Sequence, residues 1–171
     1  KKLKNICKKY NLFLIEDCAE AVGARDENNF LVGTKGDISC WSFQYAKQLT
    51  CGDGGILSTN NKFIAEKIRK NSNLGFKSLT AAGDKLSLTR DQRQNPNYER
   101  FDTIGFNYRM NQFSAAIALA QFERINFFIN LRRKMGLEFE KALENNRFFK
   151  SQKIHNNAFS TYYTFAACLK D

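Results

Sequence analysis

Residues Ser42 to Gly55 read SFQYAKQLTCGDGG, with a single lysine, Lys47, set between a hydrophobic strand-like run and a glycine-rich turn. The run DISCWSF (37–43) leading into it reads as one strand, and GILS (55–58) beyond the turn reads as another. Upstream, KKLKNICKKYN (1–11) reads as a helix ending near Asn11, followed by the continuous apolar run LFLI (12–15), which meets Glu16 and Asp17. Such a run suits a strand buried on both faces, as in a parallel sheet covered by helices.

Downstream, KFIAEKIRKNSNL (62–74) carries Phe63, Ile64, Ile68 and Leu74 on one side, as a surface helix does. Residues 75–103 contain the only proline, Pro96, and little periodicity, which predicts a long connection or lid. From Gln112 onward the pattern is strongly helical through SAAIALAQFERINFFINLRRKMGLEFEKALENN, either two helices or one long kinked helix. The Phe-rich part of it, Gln121 to Phe128, reads as core or dimer interface. Residues Phe159 to Leu169 read as one more strand. Alternating strands and helices predict an α/β fold, in which ligands bind at the carboxyl ends of strands. Asp17 and Lys47 both lie just beyond such ends.

A chain of 171 residues, 43% of them apolar, can bury one sizeable core and fits a single domain or a large piece of one. It starts at Lys1 rather than Met and closes on the strand-like TYYTFAACLKD, so a fragment of a longer chain is expected. No apolar run approaches the length of a bilayer span, and the start lacks a signal-peptide cleavage pattern, so a cytoplasmic protein without membrane contact is expected. Five cysteines without a CxxC pair, and one histidine, argue against a disulfide framework and a structural zinc site; buried or free thiols and no metal are expected. The lone histidine, His155, sits in a polar loop and reads as exposed.

The net charge of +10 raises nucleic-acid binding as a reading from another class, one that steep salt dependence would reveal. The charge, however, is scattered. Lys1, Lys2, Lys4, Lys8 and Lys9 lie on a segment whose Leu3, Ile6, Cys7 and Tyr10 recur at helical spacing, so most of that charge is a solvated helix face and no nucleic-acid partner is expected.

An acid at the end of one strand and a lysine after the next is the arrangement a pyridoxal phosphate site needs. The lysine amine condenses with the aldehyde carbon, and a carboxylate keeps the ring nitrogen protonated so that the ring can act as an electron sink. Ser42, five residues before Lys47, can offer its hydroxyl to the cofactor phosphate. Gly52, Gly54 and Gly55 let the backbone turn tightly behind the lysine.

The runs IEDCAEAVGA (15–24), GTKGDISCWSFQYAKQLTCGDGGILSTN (33–60) and IGFNYRMNQFSAAIALAQFERINFFINLRRK (104–134) resemble the DegT/DnrJ/EryC1/StrS sugar aminotransferases, pyridoxal-phosphate enzymes of the aspartate-aminotransferase fold. The resemblance implies part of a three-layer αβα large domain over residues 1–129, followed by the start of a small α+β domain over 130–171. It implies that Lys47 holds the cofactor covalently and shuttles a proton, that Asp17 pairs with the ring nitrogen, and that Ser42 binds the phosphate. Asn107, in GFNYRM, matches an asparagine that reaches the phosphate of the neighbouring subunit, so a homodimer with shared sites is implied. Arg109 keeps no assigned role.

Glu20 stands where many members carry a glutamine against the cofactor's phenolic oxygen; a carboxylate there repels the phenolate unless it is protonated or turned away. Members that dehydrate rather than transaminate carry histidine at the lysine position, so Lys47 sides with amino transfer. The implied reaction moves an amino group from an amino acid, usually glutamate, to a keto group of a nucleotide-linked sugar. Within the family, deoxygenation or a regulatory role is the alternative.

Overall fold

The computed structural model describes residues 2–82, 88–155 and 157–170, so residues 83–87 of the expected connection lie outside the described residues. The chain divides into two compact units, one built from the part up to Leu57 together with the part from Asn111 onward, the other from Ser58–Met110.

In the first unit, helix α1 (Lys2–Lys9) ends on Lys8 and Lys9, whose charges favour a helix C-terminus. Asn11, at φ 52°, turns the chain out of the helix, and Leu12 N–H closes the end by donating to Cys7 O at 2.8 Å. Strand β1 (Ile15–Asp17) pairs in parallel with β2 (Ile38–Ser42) in the register Ile15↔Ile38, Glu16↔Ser39, Asp17↔Cys40. Strand β3 (Gly55–Ser58) lies on the far side of β2, giving the order β1-β2-β3.

The expectation of a doubly buried strand over LFLI is corrected here. Only Ile15 of that run enters the ladder, while Leu12, Phe13 and Ile15 are 58%, 77% and 60% exposed. The cause is local: Leu12 is spent on closing α1, and Leu14 N–H donates to the Asp37 carboxylate at 2.7 Å rather than to a neighbouring strand. β1 is also an edge strand.

The β1–β2 connection is held by Glu16, whose carboxylate accepts the backbone N–H groups of Gly33 (3.1 Å), Lys35 (2.7 Å) and Gly36 (2.5 Å). Gly33 has φ 84°, and a Cβ there would fall 2.3 Å from the Trp41 ring. The ring of β2 therefore lies directly on the glycine backbone.

Helices α4 (Gln112–Glu123) and α5 (Ile125–Leu143) meet at Arg124, which answers the choice between two helices and one. Asn111 caps α4 by accepting Ser114 N–H at 2.9 Å. Of this pair only Ala118, Ile129 and Gly136 are buried. Of the two readings of Gln121–Phe128, core or dimer interface, the core one does not hold within this chain, because Phe122 on α4 and Phe127 on α5 are both exposed.

The strand expected over 159–169 shrinks to β5 (Ala167–Leu169), antiparallel to β4 (Phe149–Ser151). Phe159 instead exchanges both backbone hydrogen bonds with Arg25, at 3.0 Å each. Tyr162, at φ 46°, breaks the extended backbone between them.

In the second unit, α2 (Lys62–Ser72) starts at Asn61, whose side chain accepts the N–H groups of Phe63 and Ile64. Among the described residues of the connection beyond it, Phe76 and Phe101 pack with tilted rings 4.9 Å apart, α3 (Arg90–Gln94) opens with a Thr89–Gln92 capping box, and Leu79 is buried. Lys70 bridges Glu66 and Asp102 at 2.8 and 2.7 Å.

Gly33→Ala should destabilise the protein by at least about 2 kcal/mol, the sum of a left-handed alanine and an overpacked ring. Urea unfolding of the two proteins checks it.

Candidate functional site

The parallel register brings the ends of two strands together, Asp17 closing β1 and Ser42 closing β2. Neighbouring strands run about 4.8 Å apart, so the carboxylate and the hydroxyl occupy one edge of the sheet. Asp17 Oδ1 accepts Ala19 N–H at 3.1 Å, which turns the chain toward Glu20. Cys18 between them is fully buried, and burial, with the Glu16 and Asp17 charges adding to it, pushes its thiol up to about 11.

From Ser42 the backbone is pinned at each step to Lys47. Ser42 Oγ accepts Gln44 N–H (3.3 Å), Gln44 Oε1 accepts Ala46 N–H (3.0 Å), and Gln44 O accepts Lys47 N–H (3.0 Å). Behind the lysine, Cys51 N–H returns to Phe43 O at 2.9 Å, and Phe43 N–H donates to Gly54 O at 2.8 Å. Gly52, at φ 89°, makes the reversal possible. Gln48 and Leu49, which follow the lysine, are buried.

The Lys47 side chain is only 12% exposed, and two groups meet its amine. Glu20 Oε1 lies 3.1 Å from Nζ, and Nζ stands 4.3 Å from the centre of the Tyr163 ring. Desolvation works against the charge, but Glu20 and then Tyr163 outweigh it, and the ammonium titrates above the ordinary lysine value. Glu20 is itself 60% exposed, so solvent screens the pair and it opens readily.

Residues 160–163 form a strap tied at every position. Ser160 O accepts from Arg133 Nη1, and Thr161 Oγ1 accepts from Gln48 Nε2 at 3.1 Å. Tyr162 O–H donates to Glu140 Oε1 at 2.8 Å, its ring packed on Gly136 of α5 so closely that a Cβ there would overlap it at 2.4 Å. Tyr163 O accepts from Arg132 Nη1 at 3.1 Å, while Arg132 Nη2 reaches Ala46 O at 3.4 Å. Gln48 Nε2 also donates to Glu20 O at 3.0 Å, joining the segments that carry Glu20, Lys47 and the strap.

Of the residues marked in the sequence, Lys47 and Glu20 are in contact, and Asp17 and Ser42 end adjacent strands. Asn107 belongs to the second unit, where its Oδ1 accepts Arg109 Nε–H at 2.9 Å and its backbone bridges Asn73. Arg109 thereby gains a partner. The five cysteines carry free thiols, Cys18 and Cys51 buried and Cys168 exposed. His155 is exposed. Sequence reading missed Gln48, Arg132, Thr161 and Tyr163; the only trace of them is the double aromatic in TYYTF, read as strand.

The whole chain, residues 1–171, matches the DegT/DnrJ/EryC1/StrS aminotransferase family, and it belongs to that family. Among curated relatives, it is 37% identical to GDP-perosamine synthase of Escherichia coli O157:H7 over 92% of this chain and 38% of the relative. Among solved structures, it superposes with a TM-score of 0.81 on the aminotransferase TlmJ from Streptoalloteichus hindustanus, 25% identical, covering 98% of this chain and 41% of that one. The E. coli GDP-4-keto-6-deoxy-D-mannose-3-dehydratase with bound hydrated PLP, at 22% identity and a TM-score of 0.82, shares the fold over 99% of this chain and 43% of its own. The chain thus spans about two fifths of the length of the proteins it matches. No described helix is long and apolar enough to cross a membrane.

Burial, and next the hydrogen bond to Glu140, raise the Tyr162 hydroxyl from 10.0 to about 12. The folded state therefore keeps this proton where the unfolded chain loses it. The resulting stability is complete below pH 10 and lost as pH climbs toward about 12. Tyr162→Phe should cost about 1–3 kcal/mol at neutral pH through the lost hydrogen bond, and should flatten the alkaline decline. Denaturant titrations on either side of pH 10 measure both effects.

Proposed function

We propose that this chain is the part of a pyridoxal-phosphate-dependent sugar aminotransferase that carries the cofactor lysine. The whole enzyme moves an amino group from an amino acid, glutamate by family resemblance, to a keto group of a nucleotide-linked sugar. The observation that carries the reading is an amine, a carboxylate and a hydroxyl, Lys47, Asp17 and Ser42, gathered at the ends of two adjacent parallel strands and on the pinned turn that follows. That donor set fits an aldehyde, a pyridine nitrogen and a phosphate.

Bound pyridoxal phosphate supplies an electron sink for negative charge developing on the substrate carbon. Lys47 would hold the aldehyde carbon and later carry a proton between substrate carbon and cofactor carbon. Asp17, with one oxygen committed to Ala19 N–H, keeps the other to hold the ring nitrogen's proton. Ser42 would donate to a phosphate oxygen, and Asn107 to the phosphate in a neighbouring subunit of a homodimer. Glu20 accepts from the lysine amine at 3.1 Å, and its carboxylate would have to be protonated or turned aside beside a phenolate oxygen. The presence of lysine at position 47 supports amino transfer over the dehydration named for one structural neighbour.

In this reading the chain supplies the second half of a three-layer αβα large domain through residue 129, and residues 130–171 begin the small domain, with α5 running across that boundary. A cytoplasmic setting suits an enzyme acting on nucleotide sugars.

Treating the protein with pyridoxal phosphate, reducing with borohydride and mapping peptides by mass spectrometry should place the adduct on Lys47 far above the other lysines. Amino transfer from glutamate to a GDP-linked keto sugar should fall by about 10²- to 10⁴-fold or more in Lys47→Ala. Undiminished transfer in that variant, or an adduct spread evenly over surface lysines, refutes the assignment.

A further inference from the structure

We propose that Tyr163 is a positioning residue for Lys47. The face of its ring, held out by the Ser160–Tyr163 strap, works with Glu20 to fix where the amine stands and retains it in its charged form until a ligand displaces the contact.

The amine-to-centroid distance of 4.3 Å lies well inside the roughly 6 Å over which an aromatic face attracts a cation. The attraction is strongest where water is excluded, and the Lys47 side chain is nearly covered. Ring and amine also share an anchor: one Arg132 guanidinium binds the carbonyl of Tyr163 and that of Ala46, the residue preceding the lysine. A displacement of either segment is thus resisted by the other.

The strap is built against a local cost. Tyr162 adopts φ 46°, a left-handed conformation that costs a non-glycine residue about 1–2 kcal/mol. It persists because Arg133, Gln48, Glu140 and Arg132 each grip one residue of the strap. With the turn in place, the Tyr162 ring packs on Gly136 of α5 while the next ring lies under the Lys47 amine.

Among the described residues, two titratable side chains meet the amine, with Asp17 closing the neighbouring strand β1. Glu20 comes from the segment after β1, Tyr163 from the strap, and Arg132 from α5 with its guanidinium turned to backbone carbonyls. The ring's attraction exists only for the ammonium, so loss of the proton releases the amine from it. The amine titrates above the usual lysine range because Glu20 first, and then the Tyr163 side chain by hydrogen bonding, outweigh its desolvation. Through this contact Tyr163 governs when Lys47 becomes a nucleophile, a consequence that rests on the cofactor role assigned to Lys47 above.

The test is reductive methylation of the cofactor-free protein with formaldehyde and cyanoborohydride across a pH series. Rates are read peptide by peptide, with Lys77, half exposed, as the internal reference. Lys47 should react more slowly than Lys77. Tyr163→Leu should accelerate Lys47 by about two- to tenfold at fixed pH and shift its profile downward, whereas Tyr163→Phe, which keeps the ring, should restore the slow rate. Phenylalanines bearing one, two or three fluorines at position 163 keep the ring's shape while draining charge from its face. They should raise the rate stepwise, and they test the proposal even if the leucine variant fails to fold.

A Lys47 rate that ignores ring fluorination, or a phenylalanine variant as fast as leucine, overturns the proposal. Borohydride labelling with pyridoxal phosphate on the same peptide map separates the two readings. Methylation that follows the ring with no adduct on Lys47 keeps the positioning role and discards the cofactor role. An adduct on Lys47 with a flat fluorine series does the reverse.

Discussion

The parallel ladder between Ile15–Asp17 and Ile38–Cys40 is the constraint on which the site depends. It makes two strands end side by side and so gathers groups that are far apart in sequence. The register is held by Glu16, whose carboxylate grips three backbone N–H groups between Gly33 and Gly36 and thereby fixes where β2 begins. A slip of one residue would send Ser42 to the opposite face of the sheet. Glu16 thus turns to the connection, while Asp17 beside it ends the strand.

A second set of forces works from α5. Arg132 and Arg133 donate to the carbonyls of Ala46, Ser160 and Tyr163, so both guanidinium groups are spent on holding backbone in place. Gly136 leaves the space that Tyr162 fills. A helix that could have been mere covering acts as a frame, setting the strap at a fixed distance from the lysine turn. The amine is held by Glu20 and an aromatic face, contacts weak enough to exchange for a ligand and specific enough to keep it in place.

The positions of Asp17 and Ser42 at strand ends and of Lys47 on the turn that follows were legible because strand ends and glycine turns are written in local pattern. Tyr163 was not, since the contacts that define it join parts of the chain more than a hundred residues apart, as the Gln48–Thr161 hydrogen bond does. Tyrosine favours extended backbone, so TYYTF read as strand; the left-handed turn at Tyr162 is imposed by Glu140 and Gly136 and leaves no local mark. LFLI misled for another reason. Apolar composition records what a segment could bury, whereas coverage depends on which elements lie against it. The boundary between α4 and α5 was left open by periodicity and is settled by Arg124, whose backbone departs from helical geometry at ψ 7°.

Trp41 is the only tryptophan in the chain. Its ring rests on Gly33, and it directly precedes Ser42 at the end of β2. Neighbouring strand residues point to opposite faces, so the indole lies on the side of the Gly33 loop and Ser42 on the other. Its fluorescence is a built-in optical signal, free of interference from any second indole in the chain, that reports the state of the Gly33 loop.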